Sequence, residues 1–356
     1  MKIKNRTHIV NLKKISTVAF VMILILFNSI NQGQGQRSQN KESLNDWTKE
    51  GLKGKVKSYT QCTYEAFDRF GKIEKGEKLS GEQMIYNEKG NLIEENHYSN
   101  GIIKWKNTYK YDEKENLIEE NRYWSDTLYK KHTYKYDEKG NLIEANYHYY
   151  SSDSILDYSK YTYKYDEKGN LTEGNRYLYG ILDSKTIYKR DEKGNLIAEN
   201  VYSDYGDGVQ GGQAYEYDEK GNLIAEYALG SLGQGVYGQT YEYDKKGNLI
   251  ETNQYLYGRL DEKCTYKNDK KGNLIEMNCY DTDDILVWKV IYKYDKKGNL
   301  IEEKYYNTIY DDEGNISSWW ERYTFQYDEQ QNWTKKIEFI DEVPKTITER
   351  EYQYYE

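Results

Sequence analysis

The sequence predicts an all-β fold: an array of about eleven β-hairpin repeats forming one long antiparallel sheet, twisted or coiled into a spiral or shell. Three observations predict it. One segment, Tyr134-Lys-Tyr-Asp-Glu-Lys-Gly-Asn-Leu-Ile-Glu144, recurs along most of the 356 residues. Within each copy Tyr, Thr and Ile alternate with polar residues at a period of two, as in a half-buried strand, and no helical spacing survives. The aromatics are 42 Tyr against 7 Trp and 6 Phe, with a single proline, and hydrophobic residues reach 37% only with the tyrosines counted. A disordered chain lacks aromatics, whereas Ala, Val, Leu and Phe are too scarce here for an ordinary α/β enzyme core.

The N-terminus reads as an address. Lys2, Lys4, Arg6, Lys13 and Lys14 precede an apolar run from Ile15 to Phe27, broken only by Ser16 and Thr17. That run is shorter than the ~20 residues of a membrane-spanning helix and suits a signal-peptide core. Gly33 and Gly35 place small residues for cleavage after residue 35, an uncleaved anchor being the alternative. Residues 1–35 are therefore expected to be a signal, with the mature chain exported to the periplasm, the cell surface or the medium and holding no stable membrane span. The whole chain carries a charge of -9, and losing five basic residues gives -9 - 5 = -14. This acidic balance speaks against nucleic acid as a partner. Residues 36–60 form a polar lead-in anchored by Trp47.

The repeat array spans residues 61–335. Its glycine position falls at Gly90, Glu115, Gly140, Gly169, Gly194, Gly221, Gly247, Gly272 and Gly298, at gaps of 25 to 29 residues. Degenerate copies surround Gly71, Gly314 and Gln331, and residues 336–356 supply one or more capping strands. In Asp137-Glu138-Lys139-Gly140, Asp suits the start of a type I turn and Gly the left-handed residue that closes a three-residue loop. Glu115 and Gln331 place side chains at that position, at a cost of about 1–2 kcal/mol. This loop pairs Tyr136 with Leu142 and, continued without a break, Tyr134 with Glu144. Counting from the glycine, that register puts Tyr at −6, Tyr at −4, Leu at +2, Glu at +4 and Tyr at +8 on one face. Ile at +3, Lys at −5 and the variable residues take the other. Roughly 22 strands at ~4.8 Å would make about 105 Å of sheet, which must twist.

The repeated Tyr-x-Tyr-Asp-x-x-Gly-x-Leu, as in Tyr134 to Leu142, resembles the tyrosine-aspartate (YD) repeat of RHS-type proteins, with Gly-Asn-Leu where that family usually has Gly-Arg-Leu. The likeness covers roughly residues 64–335. It implies an extracellular or surface β-sheet shell or spiral, and carbohydrate binding has been proposed for such repeats. The Asp-Pro segment that large toxin-delivering members cleave is absent, as the one proline follows Val343. The fold is expected to carry over, and toxin packaging is not.

Candidate chemistry is sparse. His132 and His148 lie at −8 and +8 of one hairpin, on one face in this register but not opposite each other. A solvated polar pair is the simpler reading than a zinc site, which needs more ligands. The Asp-Gly turns are explained by turn chemistry without calcium. Cys264 and Cys279, at −8 and +7 of one hairpin, fall on opposite faces, so all three cysteines, with Cys62, are expected to be free; a bond between them would refute the register. Carboxylates recur beside lysines as on a solvated sheet, and neither a catalytic triad nor a phosphate loop is present, so the expectation is a non-enzyme without cofactor or metal.

Irregular residues concentrate in the loops opposite the glycine turns, where repeat arrays carry function. The candidate ligand-facing aromatics there are Trp124, Tyr179, Tyr257, Trp319 and Trp320. The expected function is an exported binding module for a glycan or an envelope protein. The alternative is an assembly element whose terminal strands extend the sheet by self-association.

Overall fold

The computed structural model describes residues 45–99, 101–151, 154–203, 208–230, 235–310 and 316–356. The signal-peptide assignment and the turn at Gly314 fall outside them. The described residues hold 22 strands, from Val56–Arg69 to Val343–Tyr354, and one helical turn, Asp46–Lys49. Every strand pairs antiparallel with its neighbours in sequence.

The first strand also pairs with the last, through Tyr59 with Tyr352 and Thr63 with Thr348 among others. The sheet is therefore a closed 22-stranded barrel, which corrects the expectation of an open, coiled sheet. The reason is a uniform stagger. Inside a hairpin, position −7 pairs with +6, as in Thr108 with Asn121 and Thr133 with Asn146. Between hairpins, +4 pairs with −7, as in Glu94 with Thr108 and Glu119 with Thr133. The path around the sheet thus slips 6 - 4 = 2 residues per hairpin, or one per strand. An eight-stranded barrel of shear eight has the same ratio, with strands tilted about 36°. About 105 Å across strands tilted by about 36° is a circumference of about 130 Å, or roughly 41 Å across, wide enough for a lumen.

The glycine turns form as the sequence predicts. Asp137 N–H donates to Asn141 O (2.9 Å) and Gly140 N–H to Asp137 O (3.0 Å). The Asp137 carboxylate accepts from the Asn141 backbone and side chain, each at 2.8 Å. Gly140 sits at φ 85°, and Glu115 and Gln331 are forced to 67° and 72°. Tyr136 pairs with Leu142 as expected, but Lys135 then pairs with Glu144 and Tyr134 with Ala145. Ile143 is the extra residue of a β-bulge, which shifts everything beyond it by one.

That bulge corrects three expectations. Glu at +4 and Tyr at +8 lie on the charged face, and the residues at +5 and +7 join the tyrosines. Cys264 stands directly opposite Cys279, and the two form a disulfide, so only Cys62 is free. His132 pairs with Tyr147 and Lys131 with His148, so the two histidines point to opposite faces.

The two faces are held differently. On the charged face, Glu144 bonds Lys135 and Lys160 (2.7 Å each) and accepts from Asn146 at 3.0 Å. The same arrangement recurs at Glu119 and Glu173. On the tyrosine face, the −4 hydroxyl donates to the +2 carbonyl of the preceding unit: Tyr136 to Leu117 O, Tyr165 to Leu142 O and Tyr294 to Leu274 O, all at 2.8 Å. Desolvation leads the upward shifts of Tyr134, Tyr215 and Tyr241. Hydrogen bonds lead the downward shifts of Glu119, Glu144 and Glu173. Burial thus weighs more heavily on the tyrosine face than on the charged one.

The lead-in staples the closure. Trp47 N–H donates to Gly90 O (3.1 Å), while Lys53 and Asn332 exchange hydrogen bonds of 2.8 Å. Leu52, Val56, Tyr59 and Tyr86 form a small core at the seam, with Trp47 packed on it.

Candidate functional site

The rim opposite the glycine turns is built largely of two-residue hairpin loops. Trp124 pairs with Thr127 across Ser125 and Asp126, whose φ values are 44° and 66°. Leu178 pairs with Ile181 across Tyr179-Gly180, and Leu256 with Arg259 across Tyr257-Gly258. Two positive φ values are the requirement of a type I′ turn. Tyr179 and Tyr257 both sit at φ 49°, a conformation a bulky side chain adopts rarely, and are 68% and 78% exposed.

The structure separates the five candidate aromatics. Trp124, Tyr179 and Tyr257 occupy three different hairpin tips. Trp319 and Trp320 lie within a strand, paired with Asn307 and Tyr306, rather than in a loop. Trp124 borders a cavity of about 690 Å³, lined also by Ser125, Thr127, Leu128, Tyr129, Tyr150 and Ser151. It is 58% exposed and pairs in the sheet with Trp105. The gap of 29 residues from Gly140 to Gly169, against 25 for the two gaps before it, is the sequence signal that could have picked out Tyr150 and Ser151. Nothing in the repeat marks Tyr129.

Below the rim, the tyrosine face carries an ionic cluster. His132 Nδ1 lies 3.2 Å from Glu120 and Arg122 Nε 2.6 Å from it. Burial opposes ionisation of Glu120, but the hydrogen bonds from His132 and Arg122 outweigh it and hold its carboxyl at about 2. His97 stacks on Trp105 with ring centroids 3.3 Å apart and reaches Glu95 at 2.6 Å. Glu199 lies on the same face, where it accepts from the Tyr215 hydroxyl at 3.1 Å, and burial raises it. These contacts pair the carboxylates with neighbouring donors, while His132 Nε2 is buried without a partner among the described residues.

A lipid-facing barrel carries an apolar outer band about 25 Å tall. Among the described residues the charged face repeats Lys-Glu-Lys clusters, and the tyrosine face carries Glu95, Glu120, Glu199, Glu226 and Glu303. Neither wall offers that band. No described helix is long and apolar enough to cross a membrane.

No family model matches the chain, and no curated protein matches it. Solved structures give distant likenesses. A TcdB2-TccC3 crystal structure lacking the hypervariable C-terminal region is 12% identical over 76% of this chain, with a TM-score of 0.44. The Photorhabdus luminescens Tc holotoxin pore gives 12% over 76%, with a TM-score of 0.22. The chain spans only 16% and 19% of those two chains. A porin-like protein from Bacteroides uniformis is 9% identical over 84% of this chain and 98% of its own, with a TM-score of 0.30. With every score below 0.5, the barrel is read from the chain's own pairing, and the YD resemblance stands on its sequence motif.

Proposed function

We propose that the chain is an exported, non-catalytic β-repeat barrel of the cell envelope that binds a ligand at its loop rim, a glycan in first place and an envelope protein in second. The observation that carries this reading is the cavity beside Trp124. Its walls combine one indole, two phenols and serine hydroxyls, the apolar platform with a few polar groups that small-ligand sites use. Among the described residues no charged side chain lines it, which favours a neutral saccharide ring over a charged peptide. Carboxylates elsewhere are engaged with Lys, Arg, His, Tyr or Asn rather than with one another in a cleft, which supports a binding role over catalysis. Self-association by strand pairing has less support, because the terminal strands are paired with each other.

A glycan array on the full mature chain, followed by calorimetry on any hit, tests this. Trp124→Ala should weaken binding by about tenfold or more, the cost of losing ~1.5 kcal/mol of ring contact. Tyr257→Ala, on a distant tip, should leave it unchanged. Silence across glycans, with an envelope protein captured in a Trp124-dependent way, would move the assignment to a protein ligand. Silence in both assays would overturn it.

A further inference from the structure

We propose that the hairpin bearing Cys264 and Cys279 is a dithiol-gated site for a thiophilic divalent cation of the zinc class, with Glu262 as the third ligand. The three side chains share the tyrosine face. Glu262 precedes Cys264 by two residues, and Cys279 stands opposite Cys264. The Cys264 sulfur lies 3.4 Å from Glu262 Oε1. One ligand atom from each of the three residues falls within 4.8 Å of the other two. A tetrahedral zinc with sulfurs at ~2.3 Å and a carboxylate oxygen at ~2.0–2.2 Å holds its ligand atoms about 3.5–3.8 Å apart. Small side-chain rotations would therefore close the set.

The sheet keeps these ligands in place once the disulfide is opened. Lys263 remains paired with Tyr280 and Thr265 with Asn278, on either side of the two cysteines. Both cysteines are buried, Cys279 completely, in a cluster with Met277 and Val290 against which Tyr266 and Trp288 pack. A desolvated thiolate pair needs a counter-charge, and a cation supplies it. In the oxidised chain the Glu262 carboxylate takes a hydrogen bond from Trp288; beside two thiolates it would complete a three-ligand set with a fourth position open.

The chemistry balances. A dithiol reductant breaks the sulfur–sulfur bond, two electrons pass to the cystine, and the reductant leaves as its own disulfide. The cation then forms bonds to both sulfurs and the carboxylate oxygen, and the two thiol protons are released to solvent. In the oxidised chain both sulfurs are consumed in their mutual bond, and the site is closed.

The full mature chain, oxidised or reduced with a phosphine and desalted without oxygen, would be titrated with cadmium(II) as the probe. The reduced chain should take up one equivalent with a thiolate-to-metal charge-transfer band, and the oxidised chain none. Glu262→Gln should weaken the affinity by about tenfold or more, Cys264→Ser should abolish the band, and Cys62→Ser should leave it intact. Uptake by the oxidised chain, a band surviving in Cys264→Ser, or undiminished affinity in Glu262→Gln would overturn the proposal. If Cys264→Ser does not fold, the comparison of oxidised and reduced native chain decides.

Discussion

Most tyrosine hydroxyls at the −4 position, such as those of Tyr111, Tyr136 and Tyr243, solve a local problem created by a neighbour, whereas Tyr86 donates to Glu50. The bulge at +3 interrupts the ladder beside the +2 residue, and the ring from the next unit covers that point and donates to its carbonyl. Where Asn268 replaces the tyrosine, its amide makes the same bond, to Leu249 O at 3.1 Å. The abundance of tyrosine is thus a structural requirement of the repeat. Glu115 shows the opposite case, a residue held against its preference. Its φ of 67° costs about 1–2 kcal/mol, offset in part by ionic contact with Lys89 and a bond from Asn91 at 2.5 Å. Exposed ion pairs contribute about 0–1 kcal/mol, so strain and contacts nearly cancel. Glu115→Gly should therefore change stability by less than about 1 kcal/mol in either direction. Glu115→Ala keeps the strain, loses the contacts and should be clearly destabilising; urea unfolding of the two variants measures the difference. Equal losses in both would show that the backbone at this turn is unstrained.

The hairpin was legible in the sequence up to the bulge and not beyond it. Asp137 and Gly140 specify the turn, and the turn specifies the pairing of Tyr136 with Leu142. Nothing in Leu-Ile-Glu announces that Ile143 is extra, because isoleucine suits a regular strand equally well. The cysteines held the missing information, since a bond between positions −8 and +7 is compatible only with a one-residue shift. Deleting Ile275, the bulge residue of that hairpin, should leave a regular ladder in which Cys279 still stands opposite Cys264. A thiol assay on the unfolded, unreduced variant should then count one thiol per chain, as in the native chain. A count of three in the variant would mean that Ile275 is not the residue that absorbs the one-residue shift. The +4 glutamates give the same element its pH dependence. Bonds from Asn146, Lys135 and Lys160 hold the Glu144 carboxyl at about 2, below its ordinary 4.5. The folded chain therefore binds this proton less readily than the unfolded one. The cluster's contribution is complete above pH 4.5 and is lost as pH falls through about 2. Melting temperature should fall across that window, and salt should blunt the effect because Lys135 is two-thirds exposed. Glu144→Gln should flatten the profile; an unchanged profile would remove Glu144 from the acid transition.

At the scale of the molecule, the repeat count and strand number were legible, but closure was not. Closure depends on the stagger summed around all the strands, and each hairpin adds to it through the same unsignalled bulge. An array read without the bulge has the wrong slip per unit and no reason to meet itself. Closure also makes the last strand indispensable in a way that an open ribbon would not. In a ring of alternating antiparallel strands the number must be even. Removing residues 343–356 would leave the first strand facing the strand Trp333–Ile340, and both run in the same direction. They could join only through a parallel ladder, whose hydrogen bonds are slanted and differently spaced, and the contacts of Ile347 and Thr348, both buried at the seam, would be gone. Two long edges would then be open, each a template for another chain. The truncated chain should form concentration-dependent oligomers by light scattering, while the full mature chain keeps one mass over the same range. A truncated chain that stays monomeric, with its melting temperature unchanged, would show that the barrel does not depend on the pairing of its first and last strands.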